Sequence, residues 1–158
     1  MTVVKIAPGK RGRVVIDLDS GQKIVVPRKL LGDLKIGVGD NLDDDIMADL
    51  VSASRDLIRR RILGIVSRRE ISSQELLRRM RREGFNPEDI EIVIDDLKKK
   101  DVVDDDRFVR ALIHDWTMIN PRGNHALITE IRRNGLDPER YQNLINERDE
   151  EALARRVM

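Results

Sequence analysis

Cysteine is absent from the 158 residues, which removes disulfides and thiolate chemistry and leaves no argument for an oxidising compartment. Aromatic side chains are scarce, with two Phe, one Trp and one Tyr, so a surface that stacks on nucleobases has little material to draw on. No stretch approaches the roughly 18 apolar residues that a membrane span needs. The opening "MTVVKIAPGK" lacks the apolar run of a signal peptide, and a soluble, cytoplasmic protein with no membrane partner is expected. The two histidines, His114 and His125, stand in neither an HExxH motif nor a catalytic elbow, so neither a metal site nor a nucleophilic triad finds support. No enzyme and no cofactor are expected.

What the chain has in abundance is charge. Charged residues make up 37% of it, yet they cancel to a net +1. A uniformly basic coat is thereby excluded, and the charge has to be read by segment. Residues 1–35 carry eight Lys/Arg against three Asp/Glu, and residues 40–50 hold five Asp. Residues 55–82 carry ten Arg against three acids, and residues 86–106 nine acids against three Lys. Alternating blocks of this kind neutralise each other within a bundle or produce a dipolar surface.

The first 40 residues read as strands. "VVKI", "RVVIDL" and "QKIVVP" are short β-branched runs, and "DLDSGQ" supplies turn residues between the second and third. A small antiparallel sheet is predicted, stopped by Pro27, with one helical turn in "RKLLGDL". The tip "APGKRGR" has no Ser/Thr after its lysine and no strand-to-helix context, so it is no phosphate-binding P-loop. A basic hairpin tip of Lys10, Arg11 and Arg13 is left as a contact surface.

From residue 44 the period becomes helical. Met47, Leu50, Val51, Ile58, Ile62 and Ile65 form one apolar stripe, predicting a helix of about five to six turns with Arg60 on its far side. "SSQE" follows, in which Ser72 caps a second helix and Glu75 is placed to return the hydrogen bond. Leu76, Leu77 and Met80 face inward there, with Arg78 and Arg82 opposite. Gly84 provides a left-handed stop, and Asn86-Pro87-Glu88 starts a third helix whose stripe is Ile90, Val93, Ile94 and Leu97.

That grammar returns 51 residues later. Leu127, Ile128 and Ile131 stand for Leu76, Leu77 and Met80, Gly135 for Gly84, and Asp137-Pro138-Glu139 for Asn86-Pro87-Glu88. Tyr141, Leu144 and Ile145 close the second copy, which opens on Phe108, Leu112 and Trp116 at four-residue spacing. The expected fold is therefore mainly α: tandem three-helix repeats in an elongated array, preceded by a small antiparallel β module. The boundaries follow as 1–42 for the β module, 43–103 and 104–148 for the two repeats, and 149–158 for the start of an incomplete third.

"SSQELLRRMRREGFNPEDIEIVIDDLKKKDVVDDDRFVRALIHD", followed by "PRG", "RRNGLD" and "DEEALARR", resembles the RecX family of bacterial recombination regulators. The likeness runs from about Leu57 to the C-terminus. Its most specific part is Gly84-Phe85 through the acidic link to "DDRFVRA", and the leading β segment is similar to a short extension that some members carry. The resemblance implies a non-enzymatic modulator of RecA in DNA repair, recombination and the SOS response. Such a protein binds along the groove of the RecA filament on single-stranded DNA and damps ATP hydrolysis, strand exchange and coprotease activity. A monomer is expected, with the filament as partner and the single-stranded DNA backbone as a second contact.

The residues expected to make these contacts are Arg59, Arg60, Arg78, Arg79, Arg81 and Arg82 in the first repeat, with Arg107, Arg110 and Arg122 in the second. Against this stands the plainer reading that they are solvated or paired, as Glu75 and Arg79 are placed to be at a spacing worth about 0.3 to 0.5 kcal/mol. Two other functions compete with the RecA modulator. One is a sequence-independent single-stranded DNA-binding helical protein, and the other a protein-protein adaptor that docks through its β module. The chain also departs from the family pattern: its third repeat has only its first turns, and Thr129 and Glu130 replace the Arg78 and Arg79 of the first copy.

Overall fold

In the computed structural model, residues 1–148 are described; the expected start of a third repeat at 149–158 lies outside the described residues. Strands β1 (Val3–Pro8), β2 (Arg13–Leu18) and β3 (Lys23–Pro27) form an antiparallel sheet in the order β1-β2-β3. Val14 pairs with Val26 and Ile16 with Ile24 across β2 and β3. Alternation puts these four on one face with Leu18, where they meet Leu31, Leu42 and Leu50 in a single core. Val25 points the other way, into a second core. The segment "RKLLGDL" forms two helical turns, α1 (Arg28–Leu34), rather than one.

Helix α2 (Asp44–Val66) begins where Asp43 accepts a hydrogen bond from the Ile46 amide, with Asp44 and Asp45 against the positive end of its dipole. It is long enough to serve two cores. Leu50 belongs to the sheet, whereas Ile58, Ile62 and Ile65 join the residues of α3 (Ser73–Arg82) and α4 (Pro87–Lys99). Ile58, Ile62, Leu76, Met80, Ile90 and Val93 are fully buried there, each contributing about 1.5 to 3 kcal/mol by leaving water. Arg55 clamps the outside of this core by donating to the buried Asp89 of α4 at 2.9 Å.

The start and stop signals around α3 and α4 appear as read. Ser72 accepts from the Glu75 amide at 3.1 Å and Asn86 from the Glu88 amide at 2.9 Å. Gly84 holds a φ of +95°, and Phe85 returns its amide to the Met80 carbonyl. The reciprocal half of the capping box is replaced: Glu75 turns its carboxylate to Arg79 and Arg82 of its own helix. Charge attraction to these arginines, one and two turns further on, wins over a single backbone amide.

Helix α5 (Asp105–His114) runs into a π-helical turn at Asp115–Ile119, α6 covers Asn124–Arg133, and a 3-10 turn at Pro138–Tyr141 leads into helical residues 142–148, here α7. These share a third core of Val109, Leu127, Ile131, Tyr141 and Ile145. Phe108, Leu112 and Trp116 only pack against its edge. The centre is held by Val109. No helix among the described residues is long and apolar enough to cross a membrane.

Polar groups join the second and third cores. Ser72 donates to Asn134 at 2.5 Å, the Ser73 amide and hydroxyl both donate to Asp105, and Arg107 donates to Glu70 at 2.6 Å. Gly135 lies against the Gln74 side chain, 3.7 Å from where a Cβ would stand.

Candidate functional site

The α3 sequence puts Arg78 and Arg82 on the helix face opposite Leu76 and Met80, with Arg79 and Arg81 on its flanks, and neighbouring elements widen that face into a groove. On one side, Glu75, Arg78, Arg81, Arg82 and Arg133 line a shallow cavity of about 500 Å³. On the other, Lys10, Arg11, Arg61, Glu75, Arg79, Arg82 and Glu83 line one of about 460 Å³. Glu75 and Arg82 belong to both, so the two adjoin along α3, with lining residues that run from the β1–β2 turn to the end of α6. Every lining residue is charged, and the cations outnumber the two carboxylates four to one.

Both carboxylates are already engaged. Glu75 receives Arg79 at 3.3 Å and Arg82 at 3.4 Å, with Arg78 at 3.7 Å. Glu83 receives Arg13 at 3.0 Å and Arg61 at 3.1 Å. Burial pushes the Glu83 carboxyl upward, but hydrogen bonds from Arg13 and Arg61 outweigh it and hold the group below its ordinary value. Arg13 is buried and its guanidinium lies over the Phe85 ring at 5.0 Å. The expectation of Arg13 as an exposed tip contact is thereby corrected: it ties the sheet to α3, while Lys10 and Arg11 are the exposed tip residues.

Arg11 holds a φ of +55°. Left-handed backbone costs a side chain with a Cβ roughly 1 to 2 kcal/mol, and glycine nothing comparable. The turn therefore carries an arginine in a conformation that glycine would adopt more cheaply.

Four of the arginines singled out in the sequence are brought together at this groove: Arg78, Arg79, Arg81 and Arg82. Arg78 also donates to the Arg133 carbonyl at 2.7 Å and so links α3 to α6. The others lie elsewhere. Arg59 pairs with Asp56 at 2.8 Å, and Arg60 is exposed on α2. Arg107 donates to Glu70 and to the Asp101 and Val102 carbonyls, holding the joint ahead of α5. Arg110 lines a separate 160 Å³ cavity with His114 and Thr117, and Arg122 lies over the Trp116 ring at 4.8 Å.

Arg133 was missed as a groove residue, although the 51-residue offset that maps Leu76 onto Leu127 also maps Arg82 onto Arg133. Buried Arg148 was missed as well: it donates to Thr117 at 2.8 Å, to the Trp116 carbonyl and to Asn124. Its place in α7 one turn after Ile145 gave the only signal. Among the described residues no group of three or more His, Asp or Glu is placed to hold a metal ion.

These features define a mainly helical protein with a strip of positive charge across its middle helices. The family it resembles is RecX, in sequence and in fold. The regulatory protein RecX of Prosthecochloris aestuarii is 33% identical over 92 residues, which are 58% of this chain and 61% of that protein. RecX of Treponema pallidum is 32% identical over 98 residues, 60% of each. RecX of Finegoldia magna is 23% identical over 143 residues, covering 87% of this chain and 68% of that one. The chain thus spans about three-fifths of the length of the Prosthecochloris and Treponema proteins. No family model matches it. A crystal structure titled regulatory protein RecX superposes with a TM-score of 0.58 over 92% of this chain and 73% of its own, at 18% identity. That likeness fits the mainly α fold.

Proposed function

We propose that this chain is a RecX-type regulator that binds the RecA filament on single-stranded DNA and lowers its ATP hydrolysis, strand exchange and coprotease activity. The observation that carries the reading is the joint likeness, in sequence and in fold, to proteins named as regulatory RecX. The charged groove supports it, because a partner wound on DNA presents a long anionic track, and attachment through arginine to such a track needs no base sequence. The protein acts as a single copy in the cytoplasm and performs no chemistry of its own.

The test is the rate of ATP hydrolysis by RecA on single-stranded DNA as the protein is titrated in, with Arg81→Ala/Arg82→Ala in parallel. These two are chosen over Arg78, whose bond to the Arg133 carbonyl makes it part of the fold. Inhibition that weakens at least several-fold in the variant is the expected result. A RecA rate unchanged at saturating protein overturns the proposal.

A further inference from the structure

We infer that the β1–β2 turn and α3 together form one binding site for the phosphate backbone of a nucleic acid, and that the β module completes this site through Lys10 and Arg11. For its biological setting the inference rests on the regulator reading above; for its chemistry it rests on the groove alone.

The lining decides what kind of partner fits. Protein–protein interfaces have a core depleted in charge and rich in apolar or aromatic anchors. This groove has no apolar residue in its lining on either side of α3. Interfaces with nucleic acid are polar and strongly positive, and arginine matches phosphate oxygens with two parallel donors. With Glu75 and Glu83 already held by arginines, the outward field of the groove is that of its cations. No aromatic residue lines it either, so bases are not stacked and contact is with the backbone whatever the sequence.

The β module enters at the far end. Arg13 and Glu83 join β2 to the end of α3 at 3.0 Å, and this fixed joint sets the turn beside Arg79 and Arg82. Lys10 and Arg11 are exposed at that turn. The main-chain geometry there depends on the Lys10 carbonyl, which accepts from Arg13, and not on either side chain. Arg11 stands where glycine would be less strained.

The test uses the full chain, without RecA, and labelled oligonucleotides of mixed sequence, single-stranded and duplex in separate arms. Binding is followed by fluorescence anisotropy between low and moderate salt for the wild type and for Lys10→Ala/Arg11→Gly. The glycine suits the left-handed backbone, so the variant is expected to fold and to melt no lower than the parent. The expected result is binding by the wild type, weakened about tenfold or more in the variant. The slope of log affinity against log salt should also be shallower by about 1.4 for single strands, the share of two phosphate contacts. The two arms tell which form of nucleic acid supplies the backbone.

Wild-type protein that binds neither oligonucleotide, or a variant with unchanged affinity and slope, overturns the inference. Loss of RecA inhibition in a variant whose parent binds no free DNA would also overturn it, assigning the groove to the protein surface of the filament. Conversely, DNA binding that behaves as expected while RecA is unaffected leaves this site standing and removes the regulator reading.

Discussion

Arg13 on β2 and Glu83 at the end of α3, seventy residues apart, meet at 3.0 Å with both side chains almost out of water. Arg61 of α2 closes on the same carboxylate at 3.1 Å. One carboxyl group therefore ties the sheet to two helices. Replacing Glu83 with Ala leaves the buried Arg13 guanidinium without its counter-ion, and the expected cost is about 3 kcal/mol in chemical denaturation. A loss below about 1 kcal/mol would mean that solvent takes over the role of the carboxylate.

The same group gives stability a pH dependence of known sign. Because its folded-state value lies below the ordinary one, its contribution is complete above the usual carboxylate range. It disappears as the pH falls through the depressed value. Glu83→Gln should flatten that part of the stability-against-pH curve, and an unchanged acid limb in the variant would exclude the pair as its source.

Ser72 does two jobs with one hydroxyl. It accepts from the Glu75 amide to cap α3 and donates to the buried Asn134 across the joint. Ser72→Ala should cost about 2 to 3 kcal/mol: about 1 for the cap and the remainder for the stranded Asn134 oxygen. Comparing it with Asn134→Ala in a double-mutant cycle separates the two parts, and strictly additive effects would show that the joint bond contributes nothing.

Tyr141 provides a spectroscopic handle on the third core. Burial, followed by its 2.7 Å hydrogen bond to Asp106 and the charge of that carboxylate, pushes the phenol from 10.0 to about 12. The raised value means that its contribution to stability is complete below pH 10 and is lost as the pH rises through about 12. As the chain has a single tyrosine, phenolate absorbance reads this group alone. Asp106→Asn should lower the midpoint, and a midpoint near 10 in the folded parent would contradict the buried contact.

The sequence carried the helix grammar well because caps, stops and apolar stripes are local. Ser72, Gly84, Asn86 and the row Ile90, Val93, Ile94 and Leu97 occupy the places that their neighbours alone predict. The groove was legible only along α3, where its arginines share one helix. Lys10, Arg11 and Arg133 reach it from distant segments, and their meeting depends on tertiary contacts that no spacing encodes. Arg13 and Arg107 show the converse: in the sequence they are indistinguishable from solvated cations, yet a half-buried carboxylate or main-chain carbonyls claim them. Val109 took the central place from Phe108, and the four-residue spacing that ends on Trp116 runs past the α-helix into the π-helical turn, so it does not mark the face that α5 buries.

Helix α2 gives Leu50 to one core and Ile58, Ile62 and Ile65 to the next, while the third core meets the second through side-chain hydrogen bonds and ion pairs. A rigid helix shared by two cores makes them lose structure together, whereas a polar seam can part without emptying a core. Amide hydrogen exchange should thus divide the described chain into two cooperative blocks rather than three, with residues 3–97 exchanging as one and the core built on Val109 and Ile131 opening separately, sooner as salt loosens the seam.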